Sequence, residues 1–408
     1  MLTDAMQLRP IPAQHMSDYR YDVIFSAYKW DPQVGDQDTI ARHALLLDRK
    51  TAQEVEQLAE ALAAETCAME EALLHKPQLA KKLGFPKKIE RKLPLLSGYQ
   101  PEKHVRLMRF DFHPTPEGWA VSEVNSDVPG GLAEASILPH LAARYFPNYE
   151  AGKSIADALY AAFTAKTRKD GRIAFVHATS YSDDQQVMRF LSDHFAEKGL
   201  KTQLAAPDHL RWDGKKAVSI LEGEEGELDG IVRFFPLEWL THLPRRFDWS
   251  GYYNTETVSC NHPVAIYAQS KRLPLIWNEL GVDIPTWKKL LPETCDPRRK
   301  NLSSDFILKP ALGRVGEGIS IKEAISPKEF AAISKAAKRS PLDWLAQRRF
   351  TSAPLMTEGG TPYHLCVGVF TVDGKAAGFY GRISPYPRID ANAKDIPLLV
   401  AKEEQTHV

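Results

Sequence analysis

The sequence predicts a mixed α/β (α+β) protein, and two observations predict it. Through the middle of the chain, short apolar strands alternate with helical stretches: Arg172-Ile-Ala-Phe-Val-His177, then a helix pattern over 184–198, then Gly230-Ile-Val-Arg-Phe-Phe235. Such alternation builds buried parallel strands with helices packed over them. Hairpin signals flank this middle, one at about 103–126 and one at 365–382 around an Asp373-Gly374 turn.

Each element has a local reason. Residues 1–50 hold aromatic-rich turns, including Tyr28-Lys-Trp30. Residues 51–83 read as helical, with Thr51 as N-cap, Glu54 three residues on, and Leu58, Leu62 and Met69 as an apolar stripe. Pro77 interrupts that helix and Gly84-Phe-Pro86 ends it. Asp127-Val-Pro-Gly-Gly131 opens a helix near 132–143, and 153–166 reads as another. In the last third, 304–309 is a strand, Leu312-Gly-Arg-Val-Gly-Glu-Gly318 a glycine-rich loop, and Ile319-Ser-Ile321 a returning strand. The segment 306–321 is therefore expected to be a hairpin lid. A helix at 327–338 precedes the closing hairpin.

Composition narrows the function. The chain has 408 residues, enough for two or three packed units. Lys plus Arg and Asp plus Glu number 52 each, so no broad field draws the protein to nucleic acid or an anionic membrane. The cysteines, Cys67, Cys260, Cys295 and Cys366, are scattered without a CxxC pair, which argues against a zinc cluster or a disulfide framework. Cys260-Asn-His262 reads as a structural thiol or a reactive pair. No run of about 18 apolar residues occurs, and the N-terminus has no basic region followed by an apolar core. A cytoplasmic protein with reduced thiols is expected.

The densest chemistry lies in Arg109-Phe-Asp-Phe-His113 and Glu123-Val-Asn125. Strand side chains alternate between faces, so Arg109 and Asp111 share a face, as do Glu123 and Asn125. The turn Pro114-Thr-Pro-Glu-Gly118, closing near Glu117, sets Asp111 opposite Glu123 and Arg109 opposite Asn125. Oxygen ligands converging from paired strands suit Mg²⁺; a solvated hairpin edge with surface charges is the competing reading.

Other candidates follow along the chain. Gly313, Gly316 and Gly318 lie between strands, so the loop is neither a Walker loop nor a dinucleotide fingerprint. Such a loop can offer backbone N–H groups to phosphates, with Arg314 adding charge; the alternative is a plain surface hairpin. Lys309, at a strand end, and Lys271 can contact phosphate as point charges, or simply face water. Gln347 can bond an adenine edge or face water. Arg382, near a strand end, suits a transferring phosphoryl group or a structural ion pair. Asp183 and Asp184, at a helix start, read as caps or as a hold for a cationic amine.

Taken in order, these segments resemble the synthetase module of the glutathionylspermidine synthase family, a branch of the ATP-grasp ligases. The resemblance runs from about Tyr21 to the end of the chain. It is strongest at Arg109-Phe-Asp-Phe with Glu123-Val-Asn125-Ser-Asp-Val-Pro, at Lys309-Pro-Ala-Leu-Gly-Arg-Val-Gly-Glu, and at Gly378-Phe-Tyr-Gly-Arg382. It implies an ATP-grasp fold with a preATP-grasp-like α/β region and a glycine-rich β-hairpin lid. It implies Asp111, Glu123 and Asn125 as Mg²⁺ ligands, and Arg109 and Arg382 as stabilisers of the transferring phosphate. Lys271 and Lys309 resemble the nucleotide-contacting lysines, and Asp183 and Asp184 an acidic pair on the amine side. The family's amidase module, with its cysteine nucleophile, is not expected in a chain of this length. The implied division is 1–126, an N-terminal helical region and metal-site hairpin; 127–265, a central α/β substrate region; and 266–408, the nucleotide-binding region.

The implied activity is an ATP-dependent carboxylate–amine ligase passing through an acyl phosphate. Its partners are ATP, Mg²⁺, a small or peptide-like carboxylate and an amine. A nucleotide-binding sensor that ligates nothing, and a phosphotransferase that stops before the amine step, are the rival readings.

Overall fold

The two hairpins, far apart in sequence, fold into one sheet. In the computed structural model, which describes residues 2–244, 247, 249–299, 305–314, 318–321 and 325–403, strand Leu107–Thr115 pairs antiparallel with Gly118–Asn125 on one edge. On its other edge it pairs with Pro362–Val372, which pairs with Lys375–Ser384, which pairs with Lys394–Ile396. All of Leu107–Thr115 is buried, as a strand with neighbours on both edges and packed layers on both faces must be. One face sends Met108, Phe110 and Phe112 into the main core, where helix Arg49–His75 contributes Val55, Ala59 and Leu62. Period-two alternation then leaves Arg109 and Asp111 on the opposite face.

That helix is capped by Asp48, whose carboxylate accepts from the Thr51 N–H at 2.6 Å. The cap is thus Asp48 and not Thr51, which takes the third helical position and is buried. The helix ends at His75, and Pro77–Lys82 continues as a 3₁₀ turn.

A second sheet is wholly parallel, in the order Val258–Cys260, Gly230–Phe234, Arg172–His177, Lys201–Ala205. Helix Ser182–Glu197 forms the crossover from Arg172–His177 to Lys201–Ala205. The chain then returns to the other side of Arg172–His177, so the strand order reverses there. Crevices at such reversals, beyond the carboxyl ends of the strands, are where α/β sheets bind ligands.

A third, antiparallel sheet joins Thr294–Cys295, Trp344–Arg348 and Phe306–Pro310. The leg expected to return as a strand at 319–321 is not one. It runs beside Phe306–Pro310, with the Ser320 N–H donating to Leu308 O at 3.0 Å and the Leu308 N–H to Ser320 Oγ at 2.7 Å. The side-chain bond replaces a ladder bond, so pairing stops after one residue. Gly316 lies outside the described residues. Among those residues, no helix is long and apolar enough to cross a membrane.

Candidate functional site

The hairpin register places the acids. Thr115 pairs with Gly118, leaving a two-residue loop, a register that alone would set Asp111 opposite Ser122. A bulge at Ser122 shifts the pairing by one residue, so Asp111 stands opposite Glu123 and Arg109 opposite Asn125. The row continues across the sheet, Asp111 opposite Gly368 and Gly368 opposite Tyr380. Arg382, two residues beyond Tyr380, shares that face and stands opposite Asp395. Directly paired side chains sit about 5 Å apart, so Arg109, Arg382 and the acids Asp111 and Glu123 reach one surface from strands hundreds of residues apart in sequence.

Arg109 grips Asp111 with both ends of its fork, Nε to Oδ1 at 2.7 Å and Nη2 to Oδ2 at 2.9 Å. Its Nη1 donates to Gly130 O at 2.6 Å. Burial disfavours the guanidinium charge, but Asp111 holds it firmly protonated. Asn125 Nδ2 donates to Asp111 Oδ2 at 3.0 Å. Gly368 is required by close approach, because a Cβ there would lie 2.7 Å from Arg109 Cδ.

The segment beyond the hairpin is pinned from three directions. The Ser126 and Asp127 N–H groups both donate to Gln269 Oε1 at 2.9 Å. Asn261 Nδ2 donates to the carbonyls of Leu107, Ser126 and Asp127. Arg233 closes on Asp127 in an ion pair shielded from solvent. These bonds fix how Glu123 and Asn125 face the cleft.

Glu123 pairs with Lys271 at 2.9 Å, and Lys271 Nζ also donates to Gly313 O. Burial works to raise the Glu123 carboxyl, but Lys271 and then Lys309 outweigh it and hold it at about 2. Lys309 is buried and donates to Gln347 Oε1 at 2.7 Å. Burial pushes its ammonium down to about 8, against the pull of Glu123 and helped by repulsion from Lys271. Gln347 does not face water: it is buried, and its Nε2 donates to Thr294 Oγ1 at 3.0 Å. Beside these groups lies an apolar slot walled by Leu273, Pro274, Trp277, Trp287 and Leu291, which also touches Lys271, Lys309 and Gln347.

Across from the sheet, Asp183 and Asp184 occupy the first turn of helix Ser182–Glu197, where neither caps the helix: Tyr181 holds the cap position without a side-chain bond. Burial, and then Asp183, push the Asp184 carboxyl up to about 7, with Arg314 opposing. Arg314 reaches Glu238 at 3.3 Å and Asp127 at 3.5 Å. Its Nε is buried without a hydrogen-bond partner, and so is Nε of Arg382.

All the described candidates except Gly318 line one cleft of ≈ 920 Å³. Gly313 is confined by the Pro310 ring, whose Cγ would be 2.1 Å from an added Cβ. Gly318 has φ +67° and sits just beyond that ring. The donor set of Asp111, Glu123 and Asn125 is all hard oxygen, which fits Mg²⁺. Among the described residues, no cluster of three His, Cys, Asp or Glu side chains is poised to bind a metal.

The sequence profile described as glutathionylspermidine synthase preATP-grasp matches residues 14–400. The chain belongs to that family. No curated protein sequence matches it. Among solved structures, it is similar to a glutathione synthetase-like effector from Globodera pallida in its apo form. That likeness has 11% identity and a TM-score of 0.64, covering 96% of this chain and 98% of the other. It is also similar to a putative gamma-glutamylcysteine synthetase from Methylobacillus flagellatus KT, at 12% identity and a TM-score of 0.42, covering 80% and 86%. The first likeness supports the fold.

This glutathionylspermidine synthase family member has cleft residues that sequence reasoning passed over. Lys29, Glu134, Tyr380 and Asp395 line the wall near Arg109, whose guanidinium carbon lies 5.0 Å from the Tyr380 ring centre. Lys29 stood in a stretch read only as aromatic turns. Asp395 carried no local signal, since its place depends on pairing with Arg382. Cys260 is structural: it is buried, and burial pushes its thiol up to about 12.

Proposed function

We propose that this family member is an ATP-dependent carboxylate–amine ligase working through an acyl phosphate. The observation that carries the proposal is convergence. Asp111 and Glu123 share one sheet face with Arg109 and Arg382, beside two lysines and an apolar slot. The slot's apolar and aromatic lining suits an aromatic base, and the lysines at its edge would meet the phosphates attached to it.

Asp111, Glu123 and Asn125 would hold Mg²⁺, which when bound neutralises phosphate charge. Lys309, buried and easily deprotonated, regains its full charge beside an anion. The unpartnered Nε atoms of Arg382 and Arg314 each have a donor to give a phosphoryl oxygen. The substrate carboxylate oxygen attacks the γ-phosphorus, and the bond to ADP breaks. The amine nitrogen then attacks the acyl carbon, the carbon–oxygen bond to phosphate breaks, and the nitrogen loses a proton. Asp184, held near pH 7, suits both the ammonium and that proton. Shielding from water protects the acyl phosphate from hydrolysis. The absence of a broad charge field suits small-molecule substrates and a cytoplasmic setting.

The test is ADP release across a panel of carboxylates and amines, with mass spectrometry of condensation products. Asp111→Asn, which keeps the shape that Arg109 grips, is expected to stop turnover. ADP release that needs no amine and leaves a stable phosphorylated product would overturn the ligase reading, and an Asp111→Asn protein with full activity would overturn the metal assignment.

A further inference from the structure

One ammonium already sits in the cleft, and it belongs to the chain. Lys29 Nζ lies 2.8 Å from Glu134 Oε1 and 2.7 Å from Asp395 Oδ2. All three side chains are at most 16% exposed. The Tyr380 hydroxyl donates to the other Asp395 oxygen at 2.6 Å, and the Tyr380 ring is the one stacked by Arg109. The remaining oxygen, Glu134 Oε2, is buried without a hydrogen-bond partner. Glu134 and Asp395 thus form an acidic pole on the same wall as the phosphate-directed arginines, neutralised from within.

The placement of Lys29 is built rather than incidental. A free lysine side chain loses much rotamer entropy when fixed. Here its neighbours bear that constraint. The Tyr28 hydroxyl donates to Asp193 Oδ2 at 2.8 Å, and the Trp30 N–H to Gln186 Oε1 at 3.0 Å. The Tyr28 ring packs edge-on to Phe190, with centres 5.9 Å apart. Tyr28 itself holds a left-handed φ of 56°, a conformation kept only where surrounding contacts over-determine it. Both flanks of Lys29 are therefore tied to helix Ser182–Glu197, which fixes the point from which its side chain reaches the two acids.

We propose that Lys29 is a specificity-determining residue. Its ammonium fills the place between Glu134 and Asp395 that a cationic substrate would take, leaving Asp183–Asp184 as the open acidic pole. The acceptor of this chain is then an amine with one cationic group, and a di- or polyamine that needs both poles is excluded. The word acceptor rests on the ligase reading; the filling of the pole does not.

The test therefore begins without turnover. Lys29→Ala removes the ammonium and leaves a hole between two carboxylates. Thermal melting and titration calorimetry with ethylamine and butane-1,4-diamine at neutral pH, without nucleotide, read its occupancy. Lys29→Ala is expected to melt below the unaltered protein and to recover with millimolar amine. The unaltered protein, with only the Asp183–Asp184 pole open, should gain less from either amine than Lys29→Ala does, and Lys29→Ala with Asp395→Asn should bind the amine ~10-fold more weakly than Lys29→Ala alone. Equal amine responses in the unaltered protein and Lys29→Ala overturn the proposal. If Lys29→Ala does not fold unaided, the yield on refolding with and without ethylamine is the readout, and an unchanged yield overturns it. With an acceptor in hand, Lys29→Ala should use diamines ~10-fold better in kcat/KM. Rescue by amines with no turnover on any acceptor counts against the ligase reading and leaves the role of Lys29 standing.

Discussion

The two walls of the cleft are built on opposite plans. On the sheet wall, Arg109, Asp111, Asn125 and Glu123 are buried or nearly so, mutually bonded, and fixed by strand register. On the helix wall, Asp183 is exposed, Asp184 half-buried, and their like charges lie side by side at a helix start. A buried network held by register admits few alternatives without loss of fold. Charges on a helix terminus can change at little structural cost. On the ligase reading proposed above, the sheet wall suits the step every substrate shares, and the helix wall the step that varies with the acceptor.

The sharpest way to break this comparison is at the buried pair. Arg109→Ala strands Asp111 in the sheet interior, and should cost about 3–5 kcal/mol of stability with loss of turnover; denaturant titration and ADP release measure both. Gly368→Ala is next. Its Cβ drives into the Arg109 stem, so kcat should fall ~100-fold for about 1–3 kcal/mol of stability. A full-activity Gly368→Ala protein would show that the wall tolerates movement and that register is not what positions Arg109.

Asp184→Asn probes the other wall and should change recognition rather than fold. The amine KM should rise ~10-fold while the ATP KM stays put. The sign of its pH effect is set by its raised carboxyl. The folded state binds the Asp184 proton more tightly than the unfolded state does, so stability is fullest below pH ~4 and falls as pH rises to about 7. Asp184→Asn should remove that fall and be more stable than its parent at pH 8 by about 2 kcal/mol after allowance for partial exposure. Thermal melts at pH 5 and pH 8 decide it. The smallest effect is expected at Tyr181, exposed and tilted against Trp239 with ring centres 5.0 Å apart. Tyr181→Ala should cost less than about 1 kcal/mol and shift only the amine KM.

The sheet wall was legible in the sequence because its logic is local. A turn centred near Glu117 predicts that Asp111 meets Glu123, and the chain reaches that pairing with a tighter two-residue loop and a compensating bulge at Ser122, which the sequence did not show. Two of the four parallel strands, Arg172–His177 and Gly230–Phe234, were legible as short apolar runs, whereas the polar Lys201–Ala205 and the three-residue Val258–Cys260 carry no such signal. Local signals failed where a nearer competitor took the role. Asp48 outbids Thr51 as a cap because a carboxylate accepts more strongly from an N–H at a positive helix end. Ser320 Oγ intercepts the Leu308 N–H and stops the returning strand. The Lys29–Glu134–Asp395 group was beyond reach, since its members meet only after three distant segments have packed.

The central sheet also sets a timetable. Strand Leu107–Thr115 has one partner, Gly118–Asn125, just across a two-residue loop and another in Pro362–Val372, made ~250 residues later. At roughly 5–20 residues per second on the ribosome, that edge stays bare for tens of seconds. A bare apolar edge is a template for pairing with the wrong chain. The nascent protein thus carries that hairpin with one pairing-prone edge open until Pro362–Val372 emerges, and the row of Arg109, Asp111 and Tyr380 across the sheet does not exist before then.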